Sequence, residues 1–223
     1  MPGFLLIDKP AGITSHGVIA RLRRVTGIQR IGHAGTLDPF ATGLLIVGVG
    51  REATRELGRF LKLDKTYEAV ARLGATSDTQ DLDGTITRTA GAALPEEPRV
   101  QEALAAFVGE QVQTPPMYSA KKKGGKKLYE LARKGEEVAR EPVPITVRSL
   151  ALDRYEPPEL AFTVECTSGT YVRTLAHDIG RTLGPGAYLT ALRRTRIGPY
   201  KIEDAGRLDA LTAENWEQHL AKI

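Results

Sequence analysis

The sequence predicts a mixed α/β or α+β domain built on a largely antiparallel central sheet flanked by helices. Three observations lead there. Segments that read as strands, one a continuous apolar run at 44–49, occur at residues 4–7, 44–49, 67–73, 147–155 and 161–167. Helical spacing appears between some of them, but without a strict strand–helix–strand rhythm. Glycine and proline, 23 and 13 of 223 residues, recur at the joins and mark many defined turns.

Taken in order, residues 4–7 read as a short strand running into a turn at Lys9-Pro10-Ala11-Gly12. Ser15 is the expected cap of a helix with the inner stripe Val18, Ile19, Leu22 and Val25, ended by Gly27. The apolar run 44–49, bounded by glycines, suits a buried strand. Tyr67, Ala69, Ala71 and Leu73 alternate with Thr66, Glu68, Val70 and Arg72, which predicts a half-buried strand. Asp83-Gly84 marks a tight turn into an extended segment at 85–89, and Val100, Leu104 and Phe107 line a helix. Two strands, 147–155 and 161–167, are joined through Pro157-Pro158. Thr170 is the expected cap of a helix carrying Val172, Leu175, Ile179 and Leu183, ended by Gly184. A short helix over 187–194 and a hairpin-like turn at Gly198-Pro199 follow, and the tail from Thr212 reads as one final helix. Residues 112–144 break the pattern. They are rich in Lys, Gly and Pro, hold one short helical segment at 128–134, and read as an excursion from the sheet.

The length suits one large domain, or one with a small appendage, and an apolar fraction of 41% is enough for a core. No apolar run approaches the roughly 20 residues of a membrane span, and the N-terminus has the wrong flanks for a signal peptide. The single cysteine, Cys166, excludes an internal disulfide framework and a cysteine-rich zinc site. A soluble, cytoplasmic protein is expected. The net charge of +4 is unevenly placed. Residues 117–140 set eight basic side chains against three acidic ones, and residues 171–201 set six against Asp178 alone, while 75–110 is acidic. Such blocks suit a polyanion gripped on one face; solvated surface is the plainer reading of any one run, and two separated runs bring the two readings level.

The densest stretch is Gly32-His33-Ala34-Gly35-Thr36-Leu37-Asp38-Pro39, continuing as Phe40-Ala41-Thr42-Gly43 into the buried strand. Loops held by a rigid scaffold are where catalytic side chains usually lie. Asp38, set in its turn by Pro39, is the strongest nucleophile or base candidate, although Asp-Pro also opens many ordinary turns. A second cluster, Thr167-Ser168-Gly169-Thr170-Tyr171-Val172-Arg173-Thr174, lies where a strand gives way to a helix. An arginine beside a carboxylate keeps it ionised and aims it. A tyrosine there can relay a proton or stack on a base. A capping tyrosine and a surface arginine would read the same way. The Gly-interleaved lysines at 121–127 have the character of an RNA-gripping loop, with Tyr118 and Tyr129 as stacking candidates. Phosphate-loop, nucleophile-elbow and His-Glu-x-x-His signatures are missing, and His16, His33, His177 and His219 lack metal-ligand spacing. The residues alone support an RNA-binding protein, with or without catalysis.

In order and spacing these motifs resemble those of the bacterial tRNA pseudouridine-55 synthases of the TruB family. The matching pieces begin with Asp8-Lys9-Pro10-x-Gly12-x-Thr14-Ser15, residues 32–43, and Lys65-Thr66-Tyr67 with Ala71-Arg72-Leu73-Gly74. They continue with Asp78-Thr79-x-Asp81-x-Asp83-Gly84, Pro116-Met117-Tyr118-Ser119-Ala120 and Lys127-Leu128-Tyr129-Glu130-Leu131-Ala132-Arg133. Residues 168–174 and Thr190-Ala191-Leu192-Arg193-Arg194-Thr195-Arg196 complete a match over residues 4–200.

The resemblance implies the pseudouridine-synthase fold and an isomerase acting on a tRNA uridine, with no cofactor and no metal. It makes Asp38 the covalent catalyst, Arg173 its partner and Tyr171 the proton acceptor at carbon 5 of the base. Tyr67 would stack on the target uracil, and Leu192 would wall the base. His33 would meet the RNA as the nucleotide leaves its stack, and Lys9 with Pro10 would support the pocket. The excursion carrying Lys121, Lys122 and Lys123 would be the thumb loop that closes on the T arm of tRNA.

The resemblance also organises the chain: a catalytic domain at 1–205 with a thumb-like insertion at about 112–144, then a helical tail at 206–223. TruB enzymes commonly carry a C-terminal PUA domain for the acceptor end of tRNA, and the residues after Tyr200 are too few for one. The family often has an aliphatic residue after Tyr-Ser-Ala, where this chain has Lys121, so binding should be steeply salt-dependent. tRNA is the expected partner of a monomer that needs no membrane and no obligatory protein partner. Two other readings stay open, an RNA-binding factor that folds tRNA and a guide-dependent catalytic subunit of an H/ACA particle.

Overall fold

Strand-forming and helix-forming segments follow one another closely in the computed structural model, which describes residues 2–119, 121–132 and 135–221. Along the first third run β1 (Gly3–Lys9), α1 (Ser15–Thr26), β2 (Ile31–Ala34), β3 (Thr42–Val49), α2 (Gly50–Glu56), α3 (Gly58–Leu61) and β4 (Lys65–Leu73). Next come β5 (Ala75–Ser77), β6 (Ile86–Arg88), α4 (Glu97–Ala106), β7 (Gly109–Gln113), β8 (Lys122–Lys123), β9 (Lys126–Lys127) and α5 (Leu128–Ala132). The last third holds β10 (Val143–Glu156), β11 (Glu159–Cys166), α6 (Val172–Leu183), β12 (Ala187–Ile197), β13 (Tyr200–Lys201), β14 (Gly206–Arg207) and β15 (Leu220–Ala221). Strand pairing follows the order β14-β1-β3-β12-β4-β11-β10-β7, with β2 on β3, β13 on β12 and β15 on β1. The sheet is largely antiparallel, as expected; β1–β14 and β12–β3 are parallel pairs. Two compact units divide the chain, residues 1–67 with 192–223, and residues 68–191.

In the first unit β3 is buried on both faces, which is why its sequence is a continuous apolar run. Leu45, Val47 and Val49 pack with Leu5 and Ile7 against the α1 stripe of Val18, Ile19 and Leu22. Leu44 and Ile46 join Leu6, Phe60 and Ile197 on the other side, where Phe60 meets Phe4 and Tyr200 edge-on. The α1 cap lies one residue earlier than expected: the Thr14 hydroxyl accepts from Gly17 N–H at 2.9 Å, and Gly27, at φ 71°, closes the helix.

In the second unit β10 and β11 form a long hairpin, and every second residue of β11, Leu160, Phe162, Val164 and Cys166, is buried. α6 turns Val172, Leu175, Ile179 and Leu183 inward as predicted. Thr170 does not cap it: its hydroxyl donates to Thr167 O, and the N-cap position belongs to Tyr171. The excursion holds the short β8–β9 hairpin and α5, which spans Leu128–Ala132; Arg133 and Lys134 lie outside the described residues.

Two segments differ from their sequence reading. Residues 187–194 are not a helix but the start of β12. Ala, Leu and Arg favour helix by only tenths of a kcal/mol, and sheet pairing overrides that. β12 lies parallel to β3, with Arg193 opposite Thr42 and Arg194 opposite Gly43. The tail from Thr212 is not one helix either; a 3₁₀ turn at Trp216–His219 leads into β15 on β1. Asn215 Oδ1 accepts from Thr212 N–H and the Thr212 hydroxyl accepts from Glu214 N–H, local bonds that compete with helix formation. Trp216 still reaches the core.

Candidate active site

The loop between β2 and β3 is pinned by side chains from elsewhere in the first unit. The Ser15 hydroxyl, 1% exposed, both accepts from Leu37 N–H (2.9 Å) and donates to Leu37 O (3.1 Å). The peptide ahead of Asp38 is therefore fixed by a residue 22 positions earlier. Ala41 N–H closes a turn onto Asp38 O, and Gly12 N–H reaches Pro39 O. Gly43, at φ 105°, leaves the loop where a Cβ would strike the Arg194 backbone. Asp38 itself is half-buried.

Lys9 is fully buried, and its ammonium donates to Ile13 O (2.7 Å), Pro10 O (2.9 Å) and Pro39 O (3.3 Å). Burial pulls its pKa down to about 8, the Asp38 carboxylate works against that shift, and Arg194 adds to it. At neutral pH Lys9 therefore keeps its charge and all three donors. Arg194, 1% exposed, donates from Nε to Leu44 O (2.8 Å) and from Nη2 to Gly35 O (3.1 Å), bracing both ends of the loop. His33, on β2, is neutral at pH 7: burial first, then His16 and Arg194, bring its pKa down to about 4. Tyr67 on β4 and Leu192 on β12 are both buried in sheet strands.

In the second unit Tyr171 and Arg173 come together at the start of α6. Arg173 is 3% exposed and donates to Thr79 O and Tyr118 O, each at 2.7 Å, with Asp81 Oδ2 at 3.3 Å from Nη1. Asp81 in turn accepts from the Thr79 hydroxyl (2.6 Å) and Asp83 N–H (3.0 Å). Gly84 is required beside this knot, because a Cβ there would meet the Asp78, Thr79 and Ser77 side-chain oxygens. Lys121 is exposed; the side chains of Lys122 and Lys123 lie outside the described residues. No group of three or more His, Cys, Asp or Glu among the described residues is arranged to hold a metal ion, and no helix among them is long and apolar enough to cross a membrane.

The model of the TruB family pseudouridylate synthase N-terminal domain matches residues 23–172. The chain belongs to the TruB family. The tRNA pseudouridylate synthase B C-terminal domain matches residues 173–223. A tRNA pseudouridine synthase B from Opitutus terrae is 51% identical over 96% of this chain and 88% of its own length. One from Syntrophotalea carbinolica is 49% identical over 95% and 69%, and one from Burkholderia pseudomallei 48% identical over 100% and 73%. Among solved structures, a chain of a Cbf5-Nop10-Gar1 complex superposes with a TM-score of 0.75 at 31% identity, over 96% of this chain. An H/ACA RNP bound to a substrate RNA containing 2′-deoxyuridine gives 0.72 at 28% identity, over 97% of this chain. The TruB-family chain spans only 54% and 55% of those two structures' chains.

Sequence reasoning missed four members of the two TruB clusters. Ser15 was expected as a helix cap and is a loop clamp. Arg194 was counted in a basic run and is buried. Asp81 lay in a quoted motif whose three aspartates in six residues signalled a special turn. Gln113, whose carboxamide bonds the Tyr171 N–H and C=O, carried no signal at all.

Proposed function

We propose that this chain isomerises the T-loop uridine of tRNA, position 55, to pseudouridine, with Asp38 as its covalent catalyst and no cofactor. Membership in the TruB family is the observation that carries this reading. The reaction breaks the bond from uracil N1 to ribose C1′ and makes one from C5 to C1′. The C5 hydrogen leaves as a proton and N1 gains one, so the product is an isomer and no oxidant or reductant is needed. A loop uridine must first leave its stack.

In this reading Asp38 forms the covalent bond to the substrate, and Arg173 keeps its carboxylate ionised. The three-carbonyl grip of Lys9 and the Ser15 clamp support the rigid loop such a nucleophile needs. Tyr171 takes the C5 proton, Tyr67 stacks on the uracil and Leu192 walls it. The neutral His33 meets the RNA without adding charge. Lys121, Lys122 and Lys123 grip phosphates from a thumb at 112–144, within a catalytic domain at 1–205. The enzyme works in the cytoplasm as a monomer without a protein partner.

One observation favours a guide-dependent subunit instead, the likeness to structures of H/ACA particles. The higher identity to stand-alone tRNA synthases weighs against it. The deciding experiment follows release of the hydrogen from carbon 5 of labelled uridine in a T-arm stem-loop, for wild type and Asp38→Asn, without metal or cofactor. Release by wild type alone is expected. Release only after guide RNA and partner proteins are added would install the second reading, and equal release by both proteins would discard Asp38.

A further inference from the structure

The start of α6 is held by one contact for which the reaction itself has no use. Gln113 ends β7, the strand from which the Lys-rich excursion departs, and it is 4% exposed. Its carboxamide meets the Tyr171 backbone twice. Tyr171 N–H donates to Gln113 Oε1 at 2.8 Å, and Gln113 Nε2 donates to Tyr171 O at 3.1 Å. A side chain thus pairs with residue 171 as a neighbouring strand would, across 58 residues of sequence. Tyr171 sits in extended backbone, φ −95° and ψ 105°, where α6 begins, and no side chain caps the helix there.

The geometry has a specific consequence. The N–H and the C=O of one residue belong to the two peptide planes that flank its Cα. Holding both fixes φ and ψ together, and with them the direction of the Cα–Cβ bond that carries the phenol. The same excursion supplies Tyr118 O to Arg173 Nη2 at 2.7 Å, so it holds the Tyr171 backbone and the Arg173 side chain alike. A carboxamide offers a donor and an acceptor side by side in one plane; ionised glutamate offers acceptors alone, and asparagine is one carbon short.

We propose that Gln113 is a positioning residue for the isomerisation, setting the Tyr171 phenol for removal of the C5 proton from the root of the thumb. This rests on the reading that Tyr171 accepts that proton. Replacing Gln113 takes the partner from Tyr171 N–H and one of two donors from Tyr171 O, which keeps Leu175 N–H at 3.0 Å. With only one of the two peptide planes still held, Tyr171 is free to shift. A shift of about 1 Å costs up to roughly a hundredfold in rate.

The test is single-turnover conversion of a T-arm stem-loop carrying uridine or 5-deuterouridine, with wild type, Gln113→Met and Gln113→Glu, alongside stem-loop affinity and thermal melting. Gln113→Met removes both hydrogen bonds at nearly constant volume; Gln113→Glu keeps the acceptor and sets an oxygen against Tyr171 O. For folded variants the rate should fall about tenfold or more, with affinity within about twofold of wild type. The deuterium isotope effect should rise above the wild-type value, because proton removal becomes the slow step. Rates like wild type, or a fall in rate with an unchanged isotope effect, would overturn the positioning role. Should Gln113→Met fail to fold, Gln113→Glu carries the same test, and failure of both to fold would make Gln113 a structural residue only. Wild type that releases no C5 hydrogen would instead overturn the function reading.

Discussion

Residues 117–140 and 171–201 are both strongly basic in sequence, and the structure separates them. In the first run Lys121 is exposed and Arg140 bonds Pro115 O while facing the solvated Glu137. In the second, Arg173 and Arg194 are buried among backbone carbonyls, Arg193 binds Asp8 through two hydrogen bonds, and Arg196 reaches the Thr66 hydroxyl. Lys121 keeps its charge at the surface, whereas much of the arginine-rich run spends its charge on architecture. A planar guanidinium can satisfy several carbonyls at once, which suits it to this use. Residue type alone does not decide the outcome, since Lys9 and Lys65 are buried too, each ammonium held by backbone carbonyls. What matters is whether the fold supplies acceptors in place of water.

The largest effect is expected where that substitution is most complete. Arg194→Ala strips Leu44 O and Gly35 O of their donors in a buried site and should lower stability by about 2–5 kcal/mol. Arg181→Ala, on the exposed side of the same run, should stay within about 0.5 kcal/mol. Urea unfolding of the two variants measures the contrast, and an Arg194→Ala protein as stable as wild type would break it.

Next comes a pH effect beside Arg194. The folded pKa of His33 is about 4, below its ordinary 6.5. Between those values the unfolded chain binds a proton that the folded chain does not. This contribution is therefore whole above pH 6.5 and is lost as pH falls through 4. With the imidazole only half-buried, the loss is about 2 kcal/mol. Unfolding at pH 7 and pH 4.5 should show a shallower acid limb for His33→Gln than for wild type; identical limbs would remove His33 as their source.

The lysine run should behave in the opposite manner. Replacing Lys121, Lys122 and Lys123 with alanine should leave the melting temperature unchanged and weaken tRNA binding about tenfold at low salt, roughly 1.4 kcal/mol. The slope of log affinity against log salt should also shrink by about two to three. Retention of the full slope would take these lysines off the RNA, and a drop in melting temperature would show that the run is structural after all.

Much of this was legible in the sequence because local chemistry agreed with the fold. The continuous apolar run of β3, the strict alternation of β4, and the glycine- and proline-bound loop around Asp38 each state their surroundings in a few adjacent residues. What escaped depends on distant partners. Nothing near Gln113 announces Tyr171, nothing near Ser15 announces Leu37, and the helix-favouring Ala-Leu-Arg content of β12 conceals a strand that β3 specifies. The burial of Arg194 was hidden by its charged neighbours, which a count of charges treats as equals.

The smallest effect tests the middle ground between the two runs. Arg193 donates to both Asp8 oxygens, at 3.1 and 2.8 Å, but the two side chains remain 38% and 27% exposed. Geometry argues for strength, since a bidentate guanidinium–carboxylate pair is the best-directed ion pair available. Exposure argues for weakness, because water competes and salt screens. Exposure should prevail: a double-mutant cycle with Arg193→Ala and Asp8→Ala should give a coupling of about 0.5–1 kcal/mol that shrinks in 1 M salt. A salt-insensitive coupling above about 2 kcal/mol would place Arg193 with Arg194 as architecture. A coupling near zero would leave it with Lys121, a charge exposed to solvent.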